Sequence, residues 1–153
     1  MDQPIILLVE DNDDDIELTL RSFQKQRVPS KIIVARNGIE ALDYLFCTGP
    51  YAGRVSTEMP ALILLDLKLP KVDGLDVLRR IRSEALTQCI PVVILTTSSE
   101  MNDKIKSYQL GANSYIRKPM DFDHFMEVAH LLGAYWLTLN DPPPVATPTS
   151  HAS

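Results

Sequence analysis

The chain has 153 residues, which is enough for a single domain with a substantial core. Its net charge of −5 gives no basic footprint for nucleic acid, and no apolar run approaches the roughly 18 residues that a membrane span needs. The first residues lack the basic segment and cleavage site of a secretory signal. Cys47 and Cys89 lie in no metal or redox spacing. We therefore expect a cytoplasmic protein with free thiols that binds neither nucleic acid nor membrane.

Strand-like and helix-like segments alternate along the chain. Short apolar runs predict strands at Ile5–Val9, Ile32–Ala35, Ala61–Leu65, Pro91–Leu95 and Ser114–Arg117. Apolar residues at helical spacing predict helices at Asp13–Gln26, Gly38–Phe46, Leu75–Arg82, Asn102–Leu110 and Asp121–Leu137. Parallel strands need crossover connections, so this alternation indicates an α/β protein with helices on both faces of a sheet. Right-handed crossovers favour a flavodoxin-like (βα)5 three-layer sandwich with a parallel sheet of strand order 2-1-3-4-5.

Two segments interrupt this alternation. Residues 48–60 contain two glycines and two prolines and are predicted to form a long loop. Residues 140–153 contain four prolines and are predicted to form an extended or mobile tail. We therefore expect one folded domain over residues 1–139, followed by a proline-rich tail.

Three of the predicted strands end at side chains that carry oxygen atoms. The first is followed by Glu10 and Asp11, the third by Asp66 and the fourth by Thr96. In open parallel α/β sheets, ligands bind at the carboxyl ends of the strands. Because the first and third strands are neighbours in the predicted order, Glu10 and Asp11 are expected to lie beside Asp66.

Carboxylates that cluster at such an edge repel one another and need a cation. Glu10 or Asp11 together with Asp66 would suit Mg²⁺, which takes one or two carboxylates and keeps several waters. Lys118 follows the fifth strand and is expected to add a positive charge at the same edge. The acids at 13–15 are interpreted differently, as first-turn residues that the helix dipole favours.

This set of residues resembles the receiver domain of two-component response regulators. The resemblance extends over residues 4–138 and rests on short motifs in the expected order. They are the acidic pair Glu10-Asp11, Asp66, Leu69-Pro70, Asp73-Gly74, Thr96, Gly111-Ala112 and Lys118-Pro119.

The resemblance implies a signalling protein and no enzyme, apart from self-phosphorylation and self-dephosphorylation. Asp66 would accept a phosphoryl group from a sensor histidine kinase, and Lys118 and Thr96 would stabilise that group. The implied Mg²⁺ ligands are Asp11, Asp66 and the backbone carbonyl of Lys68, with Glu10 contributing directly or through water.

The same resemblance implies roles for further residues. Thr96 would move toward the phosphoryl group, and Tyr115 would turn inward after it, as a two-part switch. Lys68 and Thr97 flank the path of a hydrolytic water and are expected to tune the lifetime of the phosphorylated state. The Lys118–Pro119 peptide bond is expected to be cis.

The expected output is a surface of the domain itself. The fourteen residues after the predicted domain are too few for an effector module. In the last predicted helix, one apolar stripe suits the core: Phe122, Phe125 or Met126, Ala129, Leu132 and Trp136. A second row holds Val128, Leu131 and Tyr135. With Trp136, this row is the candidate interface of a homodimer on the face formed by the fourth helix, fifth strand and fifth helix.

A finer resemblance concerns the kinase. The loop before the third strand, the run Leu95-Thr96-Thr97-Ser98 and the segment from Tyr135 to Pro144 resemble the small single-domain response regulators of cyanobacterial and bacterial phytochromes. This resemblance implies that the partner kinase is a phytochrome.

Three alternatives belong to other classes of function. A flavodoxin-like protein could bind FMN, but the acids after the first strand would repel its phosphate. A phosphatase with an Asp66 nucleophile would place an acid two residues later, where this chain has Lys68. A receiver-like scaffold without phosphorylation is the third alternative, against which Asp66, Thr96 and Lys118 argue.

Overall fold

The chain forms one parallel sheet of five strands in the order 2-1-3-4-5, as predicted. The computed structural model describes residues 3–25 and 29–144. The strands are β1 (Ile5–Val9), β2 (Lys31–Ala35), β3 (Leu62–Leu65), β4 (Val92–Thr96) and β5 (Ser114–Arg117). The helices are α1 (Asp13–Gln24), α2 (Gly38–Phe46), α3 (Gly74–Ser83), α4 (Met101–Gln109) and α5 (Phe122–Ala134). A 3₁₀ turn at Gly49–Tyr51 follows α2, and a π-helical turn at Tyr135–Leu139 extends α5.

The central strands are apolar throughout because both of their faces are covered. Successive side chains of a strand point to opposite faces, so Leu7 and Val9 pack with α2 and α3. Ile6 and Leu8 pack with α1 and α5 on the other face. This two-sided burial explains why the sequence of β1 does not alternate between apolar and polar residues.

Local signals fix where several helices begin and end. The side chains of Asn12, Asn37 and Asp121 accept a backbone N–H in the first turn of α1, α2 and α5. Gly111 follows α4 with φ of 102°, in the left-handed region that favours glycine at a helix end. The predicted end of the first helix, at Gln26, lies outside the described residues.

Some predicted details are wrong. β4 begins at Val92, because Pro91 has no N–H and only its carbonyl joins the ladder, accepting from Ile63 N at 2.9 Å. Phe122 is exposed, since it is the first residue of α5 and lies beyond the helix's contact with the core. The Lys118–Pro119 bond is trans, the isomer that is intrinsically favoured before proline.

The described part of the tail, residues 140–144, has no regular structure and is largely exposed. Pro142, Pro143 and Pro144 line one wall of a cavity of about 330 Å³, together with Met59 and Cys89. Residues 145–153 lie outside the described part of the chain. Cys47 and Cys89 are both free thiols, as expected.

Candidate functional site

The parallel ladder brings the predicted acids together. Val9 pairs with Leu65, so Glu10 and Asp66 are each the next residue beyond a matched strand end. Asp66 N donates to the Val9 carbonyl at 3.0 Å, which continues the ladder to the first residue of the loop. Glu10 therefore lies beside Asp66, as predicted, because the register of the parallel strands places them there.

A second pair of strands delivers the lysine. Thr96 ends β4 and pairs with Arg117 of β5, and Lys118 N donates to the Thr96 carbonyl at 2.7 Å. Lys118 therefore starts from the same edge of the sheet as Asp66, as predicted.

The ammonium group of Lys118 contacts three carboxylates. Nζ lies 2.5 Å from Glu10 Oε1, 2.8 Å from Asp15 Oδ2 and 3.1 Å from Asp66 Oδ2. The lysine side chain is only 6% exposed. A buried charge is costly unless it is paired and hydrogen-bonded, and this ammonium has one carboxylate for each of its three N–H donors.

Asp66 is held from both sides. Its Oδ1 accepts a hydrogen bond from the backbone N–H of Leu67 at 2.7 Å, and a longer one from that of Lys68 at 3.4 Å. Its Oδ2 accepts from Lys118. Asp66 is 7% exposed, and these hydrogen bonds orient its carboxylate at the edge of the sheet.

Glu10, Asp11 and Asp66 form a set that could hold a metal ion. Their carboxylate oxygens all lie within 4.8 Å of one another, with Asp11 exposed and the other two buried. Carboxylates on a partly open edge suit a hard cation such as Mg²⁺. These residues therefore fit the metal that the sequence predicts, while the contribution of the Lys68 carbonyl stays a prediction.

Burial and charge shape the titration of the site. Burial raises the pKa of Glu10 to about 7, although the hydrogen bond from Lys118 acts in the opposite direction. Burial alone would lower the pKa of Lys118, but hydrogen bonds to Asp15 and Glu10 outweigh it and raise that pKa. The lysine is therefore a permanent cation among acids at neutral pH.

This combination of an acidic edge, a fixed aspartate and a buried lysine on a 2-1-3-4-5 sheet can be compared with known proteins. Residues 6–130 match the family of the response regulator receiver domain. The chain belongs to this family. Receiver domains are signalling modules of two-component systems that bind Mg²⁺ at an acidic pocket.

Relatives that match this receiver domain cover most of its length. The protein named "Probable methanogenesis regulatory protein FilR2" of Methanothrix harundinacea is 40% identical, over 91% of this chain and 87% of its own. Response regulator Rcp1 of a Synechocystis species is 36% identical, over 87% of this chain and 88% of its own. The Mn²⁺-bound form of Rcp1 has a TM-score of 0.85 and covers 92% of this chain and 99% of that one.

The crystal structure of the phosphorylated cyanobacterial phytochrome response regulator RcpA gives a TM-score of 0.87 at 38% identity. It covers 94% of this chain and 100% of that one. This receiver domain is therefore homologous to phytochrome response regulators.

The two residues of the predicted switch are joined through a serine. Thr96 is fully buried, and its hydroxyl accepts from Ser98 N at 3.3 Å. The Tyr115 hydroxyl donates to the Ser98 carbonyl at 3.1 Å. Ser98 Oγ in turn donates to Asp103 Oδ2 at 2.6 Å, which ties the loop after β4 to the first turn of α4.

Sequence reasoning missed both Ser98 and Asp15. Ser98 lies three residues before α4, a position where a hydroxyl often bonds to nearby backbone groups, here Glu100 N at 3.2 Å. From the sequence, Asp15 is predicted to be one of the first-turn acids that the dipole of α1 favours. It starts the stripe that continues one turn later with buried Thr19 and then Ser22, and this spacing is the signal that its side chain faces the sheet. Asp13, in contrast, contacts Arg36 at the surface.

The remaining predicted residues are spread over two surfaces. Lys68 and Thr97 are exposed at the edge of the site. On the last helix, Leu131 is 61% exposed and Tyr135 is 48% exposed, whereas Val128 and Trp136 are half-buried against the core of the α1 and α5 face.

In the described part of the chain, no helix combines the length and apolar character needed to cross a membrane.

Proposed function

We propose that this receiver domain accepts a phosphoryl group on Asp66 from a sensor histidine kinase in a reaction that depends on Mg²⁺. The observation that carries the proposal is the position of Asp66, which is fixed by Leu67 N–H, bonded to Lys118 and within 4.8 Å of two further acids. Nothing in this arrangement calls for covalent chemistry by another side chain. Positioning and charge neutralisation are its main contributions.

In the transfer, an oxygen of the Asp66 carboxylate forms a bond to phosphorus while the phosphorus–nitrogen bond of a phosphohistidine breaks. The imidazole leaves with the bonding electron pair and takes up a proton from water. Lys118 donates to an oxygen of the transferring group, for which its position next to Asp66 Oδ2 is suited. Bound Mg²⁺, held by Glu10, Asp11, Asp66 and the carbonyl of Lys68, would neutralise negative charge on that group.

Thr96 and Tyr115 are proposed to report the modification. Thr96 sits at the strand end next to Lys118, and both switch residues bond to Ser98. A movement of the Thr96 hydroxyl toward the phosphoryl group would break its bond with Ser98 N. The loop that carries Ser98 and α4 would then change its preferred conformation. Lys68 and Thr97 are proposed to tune the lifetime through their exposed positions at the edge of the site.

Incubation with a small phosphodonor such as acetyl phosphate tests the proposal. We expect the intact mass to increase by one phosphoryl group with Mg²⁺ and to stay unchanged when the metal is chelated. Asp66→Asn should abolish the gain. Asp76→Asn should not, because Asp76 is a surface acid of α3 whose carboxylate contacts Arg79. No gain in the wild-type chain would favour the scaffold alternative.

Homology supports a phytochrome as the kinase that phosphorylates this receiver domain. RcpA is a phytochrome response regulator, and the resemblance extends over the whole receiver domain. We propose a phytochrome with histidine kinase activity as the donor. The FMN alternative has no comparable support, since Glu10 and Asp66 line the place where a flavin phosphate would bind.

We also propose a homodimer through the face of α4, β5 and α5. β5 is an edge strand, and the helices on either side of it expose apolar side chains. On α4 these are Met101, Ile105 and Tyr108, and on the α5 side they are Leu131, Tyr135 and Leu139. Each set follows helical spacing, so each forms a continuous stripe, and such exposed apolar area typically marks an interaction site.

Leu131→Glu is expected to weaken the dimer at least about tenfold, because it places a charge in the centre of the apolar stripe. Light scattering at tens of micromolar, with and without beryllofluoride, would measure the oligomeric state. Val55→Glu is the matched control, since Val55 is similarly exposed, at 57%, but lies in the loop before β3. A wild-type chain that is monomeric under both conditions would contradict this proposal.

A further inference from the structure

Asp15 is held in a fixed position beside the lysine of the site. Its N–H donates to Asn12 Oδ1 at 2.9 Å, and its carbonyl accepts from the Thr19 hydroxyl at 2.7 Å. Its carboxylate Oδ2 accepts from Lys118 Nζ at 2.8 Å. The side chain of Asp15 is 29% exposed and that of Lys118 is 6% exposed, so Asp15 lies on the solvent side of this ion pair.

Asp15 differs from the other two partners of Lys118. Glu10 and Asp66 belong to the set of acids that could hold a metal, and Asp15 does not. In the proposed transfer, the Asp66 carboxylate becomes an acyl phosphate, so Lys118 exchanges its present contact with Asp66 Oδ2 for one with a phosphoryl oxygen, while Glu10 faces the cation. Asp15 is then the present partner of Lys118 that neither carries the phosphoryl group nor faces the metal.

We propose that Asp15 is a positioning residue that anchors the ammonium of Lys118 beside Asp66 while Glu10 and Asp66 are engaged by metal and phosphoryl group. The inference rests on the proposed function of Asp66. The contrary role, in which Asp15 draws the lysine away from the phosphoryl group, predicts effects of the opposite sign.

The first test measures the rate of phosphoryl uptake from acetyl phosphate at saturating Mg²⁺. Asp15→Ala should slow uptake about tenfold, since a displaced catalytic group loses much of its effect. Asp15→Asn keeps an acceptor oxygen and should lie between Asp15→Ala and the wild type. Asp14→Ala removes the same charge from the same turn of α1, at an exposed position, and should stay within about twofold of the wild type. Unchanged or faster uptake in Asp15→Ala would overturn the inference.

A double-mutant cycle shows whether Asp15 acts through the lysine. In a Lys118→Ala background, Asp15→Ala should cause no further loss of uptake, because there is no ammonium left to anchor. A second loss of about tenfold in that background would overturn the inference, since Asp15 would then act by another route.

A labelling experiment gives a readout that is independent of phosphorylation. Without Mg²⁺ and phosphodonor, a water-soluble acetylating reagent should modify Lys118 several-fold faster in Asp15→Ala than in the wild type, as measured by peptide mass. The exposed Lys104 should react equally in both. Equal labelling of Lys118 would overturn the inference.

Different results would overturn the proposed function of Asp66 and the anchoring role of Asp15. A wild-type chain that takes up no phosphoryl group would overturn the proposed function, and the anchoring role with it. Normal uptake in both the wild type and Asp15→Ala would overturn the anchoring role alone.

Discussion

Lys118→Ala is expected to slow phosphoryl uptake by at least about 100-fold, in the range that follows the loss of one electrostatic group from an active site. Lys118 Nζ is the only cationic group of the described chain that contacts Asp66. Without it, negative charge that builds up on the transferring group has only the metal to balance it. Single-turnover kinetics with a small phosphodonor at saturating Mg²⁺ would measure the loss.

The same substitution should also destabilise the fold. Glu10 and Asp66 are buried, and Lys118 is their shared cation. Removing one partner of a buried ion pair costs about 3–5 kcal/mol of unfolding free energy. Urea unfolding measures this cost, and added Mg²⁺ should restore more stability to Lys118→Ala than to the wild type, because the metal takes over the balance of charge.

Two control variants separate charge from packing. Lys118→Arg keeps the positive charge and should lose less stability than Lys118→Ala. Lys104→Ala removes an exposed lysine of α4 and should leave both uptake and stability near wild type. Equal uptake in Lys118→Ala and wild type, with both folded, would contradict the role assigned to Lys118.

Gly74→Ala is expected to destabilise the protein by about 1–3 kcal/mol and to impair phosphoryl uptake. A Cβ at position 74 would lie 2.3 Å from the Asp66 carbonyl oxygen and 2.6 Å from Leu67 Cα. Both atoms belong to the backbone that orients the Asp66 carboxylate, so the loop must shift as a whole. Thermal unfolding and the uptake assay would measure the two effects.

Gly53→Ala is the matched control for this effect. A Cβ at Gly53 would meet nothing within 4 Å, so the substitution should leave stability and uptake nearly unchanged. If Gly74→Ala were as stable and as active as Gly53→Ala, close packing of α3 against the Asp66 loop would not be what positions the carboxylate.

The sequence predicted the sheet and the main site residues for one physical reason. Strands buried on both faces are apolar without interruption, so their ends are marked by the first polar residue, as at Glu10 and Asp66. In a parallel sheet these ends meet at one edge, and Glu10, Asp66 and Lys118 do meet there. The apolar pattern that marks the end of each strand therefore also predicts which side chains meet at that edge of the sheet.

Other features depend on side-chain contacts that no periodic pattern encodes. The spacing of Asp15 with Thr19 and Ser22 indicates which face of α1 it lies on, but its contact with Lys118 depends on how α1 packs. The link from Thr96 through Ser98 to Tyr115 needs a loop conformation that the sequence does not specify. The apolar row of the last helix predicts Val128, Leu131, Tyr135 and Trp136 at an interface, but it does not show which of them the core covers. Val128 and Trp136 pack against the core of the α1 and α5 face, whereas Leu131 and Tyr135 are exposed.

The most direct test of the central claim is to locate the modified residue. After incubation with acetyl phosphate and Mg²⁺, borohydride reduction converts an aspartyl phosphate to homoserine, which peptide mass analysis can place in the chain. We predict homoserine at position 66, dependent on Mg²⁺ and lost in Asp66→Asn. Homoserine at another aspartate, or none at all under these conditions, would contradict the assignment of Asp66 as the phosphoacceptor.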